Sequence, residues 1–247
     1  MNKHIRSSGN KGGTGKSTFL IALTRWLKEF GIEPYLVDAD DESRTLSRYF
    51  PDALKVEPRR TKAYDIIINL AERGVSRLII ADLKAGTGFD LLSWFADVPF
   101  EELAQIGISV VLVGLVTQSP DSVSSLLHWV DGLGKQVKWA VVKNFRDCDE
   151  AANLDAKNFP FPAYDGTRQA LEFRRRYRPT ELLLRKLDPE YMAELERVSM
   201  TISDVLARRP GVPELLTPLI VRAKLRNYQA ALFQQFEKHK ALFLPEL

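Results

Sequence analysis

Apolar positions along the first 145 residues recur at two periods, and the way these alternate predicts the architecture. Phe19, Leu20, Leu23, Trp26, Leu27 and Phe30 fall at helical spacing and run out near Gly31, a helix stop. Val123, Leu126, Leu127 and Val130 do the same within Asp121–Leu133, and Ile67, Leu70 and Ala71 within Tyr64–Ala71. Between these helices stand short apolar runs with the content of strands: His4–Ser8, Glu33–Asp38, Arg77–Asp82, Ile108–Leu115 and Trp139–Lys143. Strands alternating with helices predict an α/β fold, a mostly parallel sheet flanked by helices with right-handed crossovers. Such sheets bind ligands at the carboxyl ends of their strands.

From Pro160 onward the pattern turns helical. Gly166–Arg178, Pro189–Arg209 and a last segment from Glu214 to about Phe243 each read as a helix, the second with Tyr191, Leu195, Val198 and Ile202 on one face. Arg208-Arg209-Pro210-Gly211-Val212-Pro213 has the punctuation of a linker. The expected organisation is one domain over residues 1–209 and a C-terminal helical extension over 210–247, packed on the domain or on a partner.

Composition narrows the class. At 247 residues and 45% apolar, the chain can bury one sizeable core. Thirty-five basic against 32 acidic residues leave only +3, so bulk charge does not announce a nucleic-acid protein, although residues 161–247 hold 15 Lys/Arg against 11 Asp/Glu. One cysteine, Cys148, excludes an internal disulfide, and His4, His128 and His239 have no companions at metal-ligand spacing. No apolar run approaches the ~20 residues that span a bilayer. No signal-peptide core opens the chain either, and the expected location is cytoplasmic.

The chemistry begins at residues 9–18, Gly-Asn-Lys-Gly-Gly-Thr-Gly-Lys-Ser-Thr. Gly15-Lys16-Ser17 closes a phosphate-binding loop, in which glycines let backbone N–H groups turn toward one anion at a helix N-terminus. Lys16 is placed to reach β- and γ-phosphates and Ser17 to ligate Mg²⁺, so the implied cofactors are ATP and Mg²⁺. Asn10 stands where the general pattern has a first glycine, and Asn tolerates a left-handed backbone. Two strands downstream end in carboxylates, Asp38 and Asp40 on one and Asp82 on the other. Mg²⁺ is bound largely through carboxylates, waters and phosphates, which suits Asp82.

With its extra lysine, Lys11-Gly12-Gly13-Thr14-Gly15-Lys16-Ser17 resembles the deviant phosphate loop of the ParA/MinD family of P-loop ATPases. The resemblance covers residues 3–180. It implies nucleotide contacts from residues 11–18, with Thr18 the last. It also implies an ATP-dependent homodimer in which Lys11 crosses to the partner's nucleotide. Asp40 would position the attacking water, Asp38 would support the Mg²⁺ shell and its loop, and Asp82 would hold Mg²⁺ with Ser17. Asn144 stands where the family places an adenine contact, a turn-forming role being the alternative, and Phe161-Pro162 resembles the segment closing over the base. Lys84 in Lys84-Ala85-Gly86-Thr87-Gly88 departs from the family's proline, and Asp41-Glu42 from its usual Pro-Gln. Both departures bear on hydrolysis rate more than on nucleotide binding.

The surface such a cycle would control has two candidates. Arg174, Arg175, Arg176 and Arg178 form the densest basic cluster, suited to sequence-independent contact with double-stranded DNA, or to a solvated helix end. The segment 214–243 carries Leu225, Tyr228, Leu232 and Phe236 beside basic residues, the pattern of an interfacial membrane helix and equally of one packed on protein. The expected role is a small ParA-like switch in plasmid or DNA partition, working with an adaptor protein. A MinD-like membrane ATPase and a nucleotide-gated scaffold with negligible hydrolysis are the alternatives.

Overall fold

The computed structural model describes residues 3–8, 13–57, 61–84, 88–148 and 161–245. Among these residues seven parallel strands form one sheet in the order β3-β2-β4-β1-β5-β6-β7. They are β1 (Lys3–Ser8), β2 (Tyr35–Ala39), β3 (Leu54–Lys55), β4 (Leu78–Leu83), β5 (Ile108–Val116), β6 (Lys138–Asn144) and β7 (Thr180–Leu184). The expected strand at 33–38 begins two residues late because Pro34 has no N–H to give the ladder. Strand β7 was not expected at all. It is a five-residue edge strand directly after Pro179, with Leu182 and Leu184 buried and Leu183 turned outward.

Alternate residues of the central strands feed two cores. Ile79 and Ala81 of β4 face one, Leu78 and Ile80 the other. The first core is covered by α3 (Asp65–Glu72), α4 (Gly88–Ala96), α5 (Phe100–Gln105), α6 (Pro120–Leu133), α7 (Pro162–Gly166) and α8 (Arg168–Tyr177). The second is covered by α1 (Lys16–Glu29), α2 (Thr45–Tyr49) and the C-terminal helices. On α1, Phe19, Leu20, Leu23, Trp26 and Leu27 are buried as their spacing predicts, whereas Phe30, just past the helix end, is 50% exposed and lies against Trp26.

The helical last third is more broken than its periodicity suggests. The expected helix over 189–209 is two, α9 (Pro189–Val198) and α10 (Ile202–Leu206). Ser199 adopts a left-handed φ of 52° that ends α9, and Thr201 with Asp204 forms a capping box that starts α10. The expected helix over 214–243 divides into a 3₁₀ turn (Glu214–Leu216), α11 (Leu219–Lys238) and α12 (Lys240–Phe243), Pro218 separating the first two. The expected helix over 166–178 is α8, which starts at Arg168 behind its cap Thr167 and is preceded by the short α7.

Helix α11 closes over the second core. Phe236 is fully buried and meets Phe19 edge-on at 5.4 Å and Trp26 at 5.5 Å. Gln235 of α11 accepts a hydrogen bond from the Leu183 N–H (2.7 Å) and donates one to its carbonyl (2.9 Å). A side-chain amide thereby stands in for the missing neighbour of edge strand β7. Both carboxylate oxygens of Asp204 of α10 accept from one nitrogen, Nη2, of Arg25 of α1 (3.0 and 2.8 Å). The apolar face that 214–243 could offer a membrane is thus largely inside the protein: Leu225, Leu232 and Phe236 are at most 3% exposed and Tyr228 is partly buried.

Candidate functional site

The candidate residues gather at the carboxyl ends of β1, β2, β4 and β6. Strand β1 lies between β4 and β5, with Ser8 in register with Asp82 and Val113. Of the loop that follows, Gly13, Thr14 and Gly15 are described; Lys11 and Gly12 lie outside the described residues, as do residues 85–87 of the Lys84–Gly88 segment. Gly13 and Gly15 take left-handed φ values of 71° and 89°, which glycine adopts without a Cβ penalty. Gly15 is also required by space, since a Cβ there would lie 2.5 Å from Asn144 Nδ2.

Helix α1 starts at Lys16 with no side-chain cap and no acidic residue in its first turn, leaving the positive end of its dipole toward the loop. Lys16 is 6% exposed. Burial lowers its pKa, opposed by the charges of Asp82 and Asp40, which places both carboxylates in its electrostatic neighbourhood. Ser17 Oγ donates a 2.6 Å hydrogen bond to Asp82 Oδ2. Asp82 is fully buried, and burial raises its pKa to about 7. Thr18, one residue on, borders a different feature, an apolar cavity of about 70 Å³ shared with Ile21, Thr45, Met192, Ile202 and Phe233.

The other acidic residues organise the loop after β2. Asp38, fully buried, accepts hydrogen bonds from the N–H groups of Asp40 (3.2 Å) and Ser47 (2.7 Å). Asp40 accepts from the N–H groups of Glu42 and Ser43 and from Ser43 Oγ (2.9 Å). Arg44, with a left-handed φ of 50°, donates to the carbonyls of Asp38 and Val56. Asp38 is therefore the brace of this loop. Asp40 sits at its turn, 8% exposed, with its carboxylate bonded back into the turn.

Asn144, at the end of β6, faces the phosphate loop. Its Nδ2 donates to the Thr14 carbonyl at 2.8 Å and its Oδ1 accepts from the Arg146 N–H at 3.0 Å. Both amide atoms are engaged within the protein, so here Asn144 pins the loop. Arg146, which sequence reasoning passed over, donates from Nη1 to the Gly13 carbonyl and puts an exposed cation on the loop. Its signal was proximity: it stands two residues after a strand-ending asparagine. Pro162 is exposed at the first position of α7, and Phe161 before it is buried edge-on against Phe145 at 4.8 Å. Lys143 on β6 fixes that segment by a 2.6 Å ion pair with Asp165.

This donor set fits a magnesium nucleotide. It offers left-handed glycines, a buried lysine, an uncapped helix N-terminus and a serine hydroxyl bonded to a buried carboxylate, the hard oxygen ligands that Mg²⁺ takes alongside phosphates and water. Among the described residues, no cluster of three or more His, Cys, Asp or Glu could hold a metal by itself.

The basic cluster on α8 is not uniform. Arg174 turns inward, with Nε 2.6 Å from Glu181 Oε1, Nη1 3.5 Å from Asp165 and its guanidinium over the Tyr164 ring. Arg175, Arg176 and Arg178 are exposed, and Arg178 ends the helix in a left-handed conformation (φ 46°). The expected four-arginine patch therefore reduces to three. No helix among the described residues is long and apolar enough to cross a membrane.

The CobQ/CobB/MinD/ParA nucleotide-binding domain family matches residues 7–244. The fold is similar to the MinD cell division protein of Aquifex aeolicus, at 12% identity over 97% of each chain with a TM-score of 0.57. It is also similar to the MinC:MinD cell division protein complex of that organism, at 13% identity over 99% of this chain and 98% of that one, TM-score 0.55. A ParA family ATPase from Chlorobium tepidum TLS matches at 13% identity over 93% of this chain and 99% of the other, TM-score 0.53. No curated protein matches the sequence at a significant level.

Proposed function

The chain belongs to the CobQ/CobB/MinD/ParA family of nucleotide-binding domains, and from that and the site we propose that it is a cytoplasmic, Mg²⁺-dependent ATPase switch. In this reading it dimerises on ATP and, as a dimer, holds double-stranded DNA without sequence preference, in plasmid or DNA partition with an adaptor protein. The observation that carries the nucleotide reading is the Ser17–Asp82 hydrogen bond beside buried Lys16. Bound Mg²⁺ supplies charge neutralisation on the phosphates. Ser17 and Asp82 would hold it. The loop N–H groups and Lys16 orient the phosphates, and Asp40 orients water once its carboxylate leaves Ser43. Lys11 supplies a second cation across the dimer, as the loop sequence Lys-Gly-Gly-Thr-Gly-Lys-Ser suggests.

Three exposed arginines at the end of α8 support the DNA reading. One observation favours a membrane surface instead: Leu219 and Ile220, at the start of α11, are 73% and 66% exposed close to Arg222 and Arg226 in sequence. Calorimetry with Mg-ATP tests the site: wild type binds, and Lys16→Ala loses most of the affinity. Equal affinity in the two proteins would remove the assignment. Sedimentation of Asp40→Ala with ATP tests the switch, a dimer being expected and a persistent monomer counting against it. Flotation with anionic vesicles separates the membrane reading from the DNA one.

A further inference from the structure

The two places where this sequence departs from its family's pattern meet in the fold. Lys84 Nζ lies 2.9 Å from Asp41 Oδ1 and 3.0 Å from Glu42 Oε1. The strands behind them are neighbours in register, Asp38 opposite Asp82 and Ala39 opposite Leu83. The ion cluster therefore forms just past the last rung of the β2–β4 ladder. It joins the loop that leaves Asp40 to the loop that leaves Asp82, two segments with no covalent reason to move together.

The join bears on what Asp40 can do. In the structure its carboxylate accepts from Glu42 N–H, Ser43 N–H and Ser43 Oγ, so it faces its own turn. Three of its acceptor positions are already taken by this turn, and swinging the carboxylate out to orient a water breaks the Ser43 bonds. Asp41 and Glu42 lie inside the same turn and are tethered by Lys84 to the end of β4. A proline or an uncharged pair at these positions would leave the turn free on that side.

We propose that Lys84 is a positioning residue whose ion pairs with Asp41 and Glu42 latch the Asp40 turn in its self-bonded form and hold basal ATP turnover low. This rests on the ATPase reading above and adds a regulatory contact to the same site. The cluster is solvent-facing, with side-chain exposures of 23% for Lys84, 31% for Asp41 and 71% for Glu42, so salt screens it. Whatever engages Lys84 or the two carboxylates, a partner's charge included, would release the turn.

Amide hydrogen exchange over residues 40–47 in the nucleotide-free protein reads the latch without any turnover. Lys84→Gln, and separately Asp41→Asn with Glu42→Gln, should speed exchange in that segment by roughly two- to fivefold, the scale of an exposed ion-pair network. Both variants should raise ATP turnover by a similar factor while leaving ATP affinity unchanged, and added salt should accelerate the wild type more than either variant. The charge swap Lys84→Glu with Asp41→Lys and Glu42→Lys should restore slow exchange and slow turnover, which a merely disruptive change would not. Unchanged exchange, slower turnover in the neutralised variants, or a swap without rescue would each overturn the latch. If the wild type neither binds nor hydrolyses ATP, the ATPase reading fails, and the exchange comparison alone still decides whether the contact holds the turn.

Discussion

Ser17 Oγ donates its hydrogen to Asp82 Oδ2 at 2.6 Å, tying the first turn of α1 to the end of β4 across 65 residues of sequence. The bond places a hydroxyl and a fully buried carboxylate side by side beneath the phosphate loop. In the proposed nucleotide reading a bound metal would offset this charge, and without one the carboxylate's burial works against the folded state.

The stability of the nucleotide-free protein should accordingly fall as pH rises from 5 to 8. Burial lifts the Asp82 pKa to about 7 from 3.8, outweighing the Ser17 hydrogen bond and the Lys16 charge that pull it down. The folded state therefore binds more protons than the unfolded one between those two values. Stability contributed by this group is full below the unfolded pKa and declines until pH passes about 7, a total of roughly 4 kcal/mol. Asp82→Asn keeps a neutral group of the same shape. It should melt higher than wild type at pH 8 and remove much of the difference between pH 5.5 and 8, while losing Mg-nucleotide binding. Thermal melts of the two proteins at both pH values test this, and parallel pH profiles would show that Asp82 is not the titrating group.

Gly15 and Asn144 should be energetically coupled. Gly15→Ala meets two obstacles, a left-handed φ of 89° and a Cβ only 2.5 Å from Asn144 Nδ2. The first costs about 1–2 kcal/mol for an L-residue. The second is steric and can be relieved by shortening the neighbour. Asn144→Ala alone loses its 2.8 Å bond to the Thr14 carbonyl, worth about 1 kcal/mol. The double variant should therefore be less destabilised than the sum of the singles, leaving the backbone strain as the residue. Urea unfolding of the four proteins measures the coupling, and strict additivity would mean that the loop relaxes away from Asn144 at no cost.

How much of this was legible in the sequence depended on whether the signal was contiguous. The phosphate loop is one unbroken string, and Asp38, Asp40 and Asp82 end apolar runs, so their gathering at one edge follows from a parallel sheet. The Asn144–Thr14 bond spans 130 residues and depends on a side-chain rotamer, which no spacing encodes. Lys84 and Asp41-Glu42 were visible only as separate departures from a family pattern, because their contact exists only once β2 and β4 lie side by side. Strand β7 was hidden in a stretch of helix formers: it is five residues long, and a glutamine from α11 takes the place of a strand partner. The break between α9 and α10 rests on the left-handed backbone at Ser199, a residue whose type does not demand it.

The exposed arginines of α8 and the inward one should separate cleanly in experiment. Arg174 is bonded to Glu181 and paired with Asp165 over the Tyr164 ring, so Arg174→Ala strips a partly buried pair of carboxylates of a partner and should destabilise the fold. Arg175, Arg176 and Arg178 are solvent-facing, and replacing the first two by Ala should change stability by no more than about 0.5 kcal/mol. Arg178 sits at a φ of 46°, where Asn is tolerated and Ala is strained, so Arg178→Asn is the appropriate change there. If the ATP-bound dimer grips DNA with these side chains, the triple variant should retain its melting temperature and lose DNA retardation. Its log–log salt slope should also fall by about one for each phosphate contact removed. Arg174→Ala should show the reverse, a lowered melting temperature with the salt slope of the remaining complex unchanged. DNA binding that survives the triple change at low salt would mean that the three arginines merely solvate the end of α8.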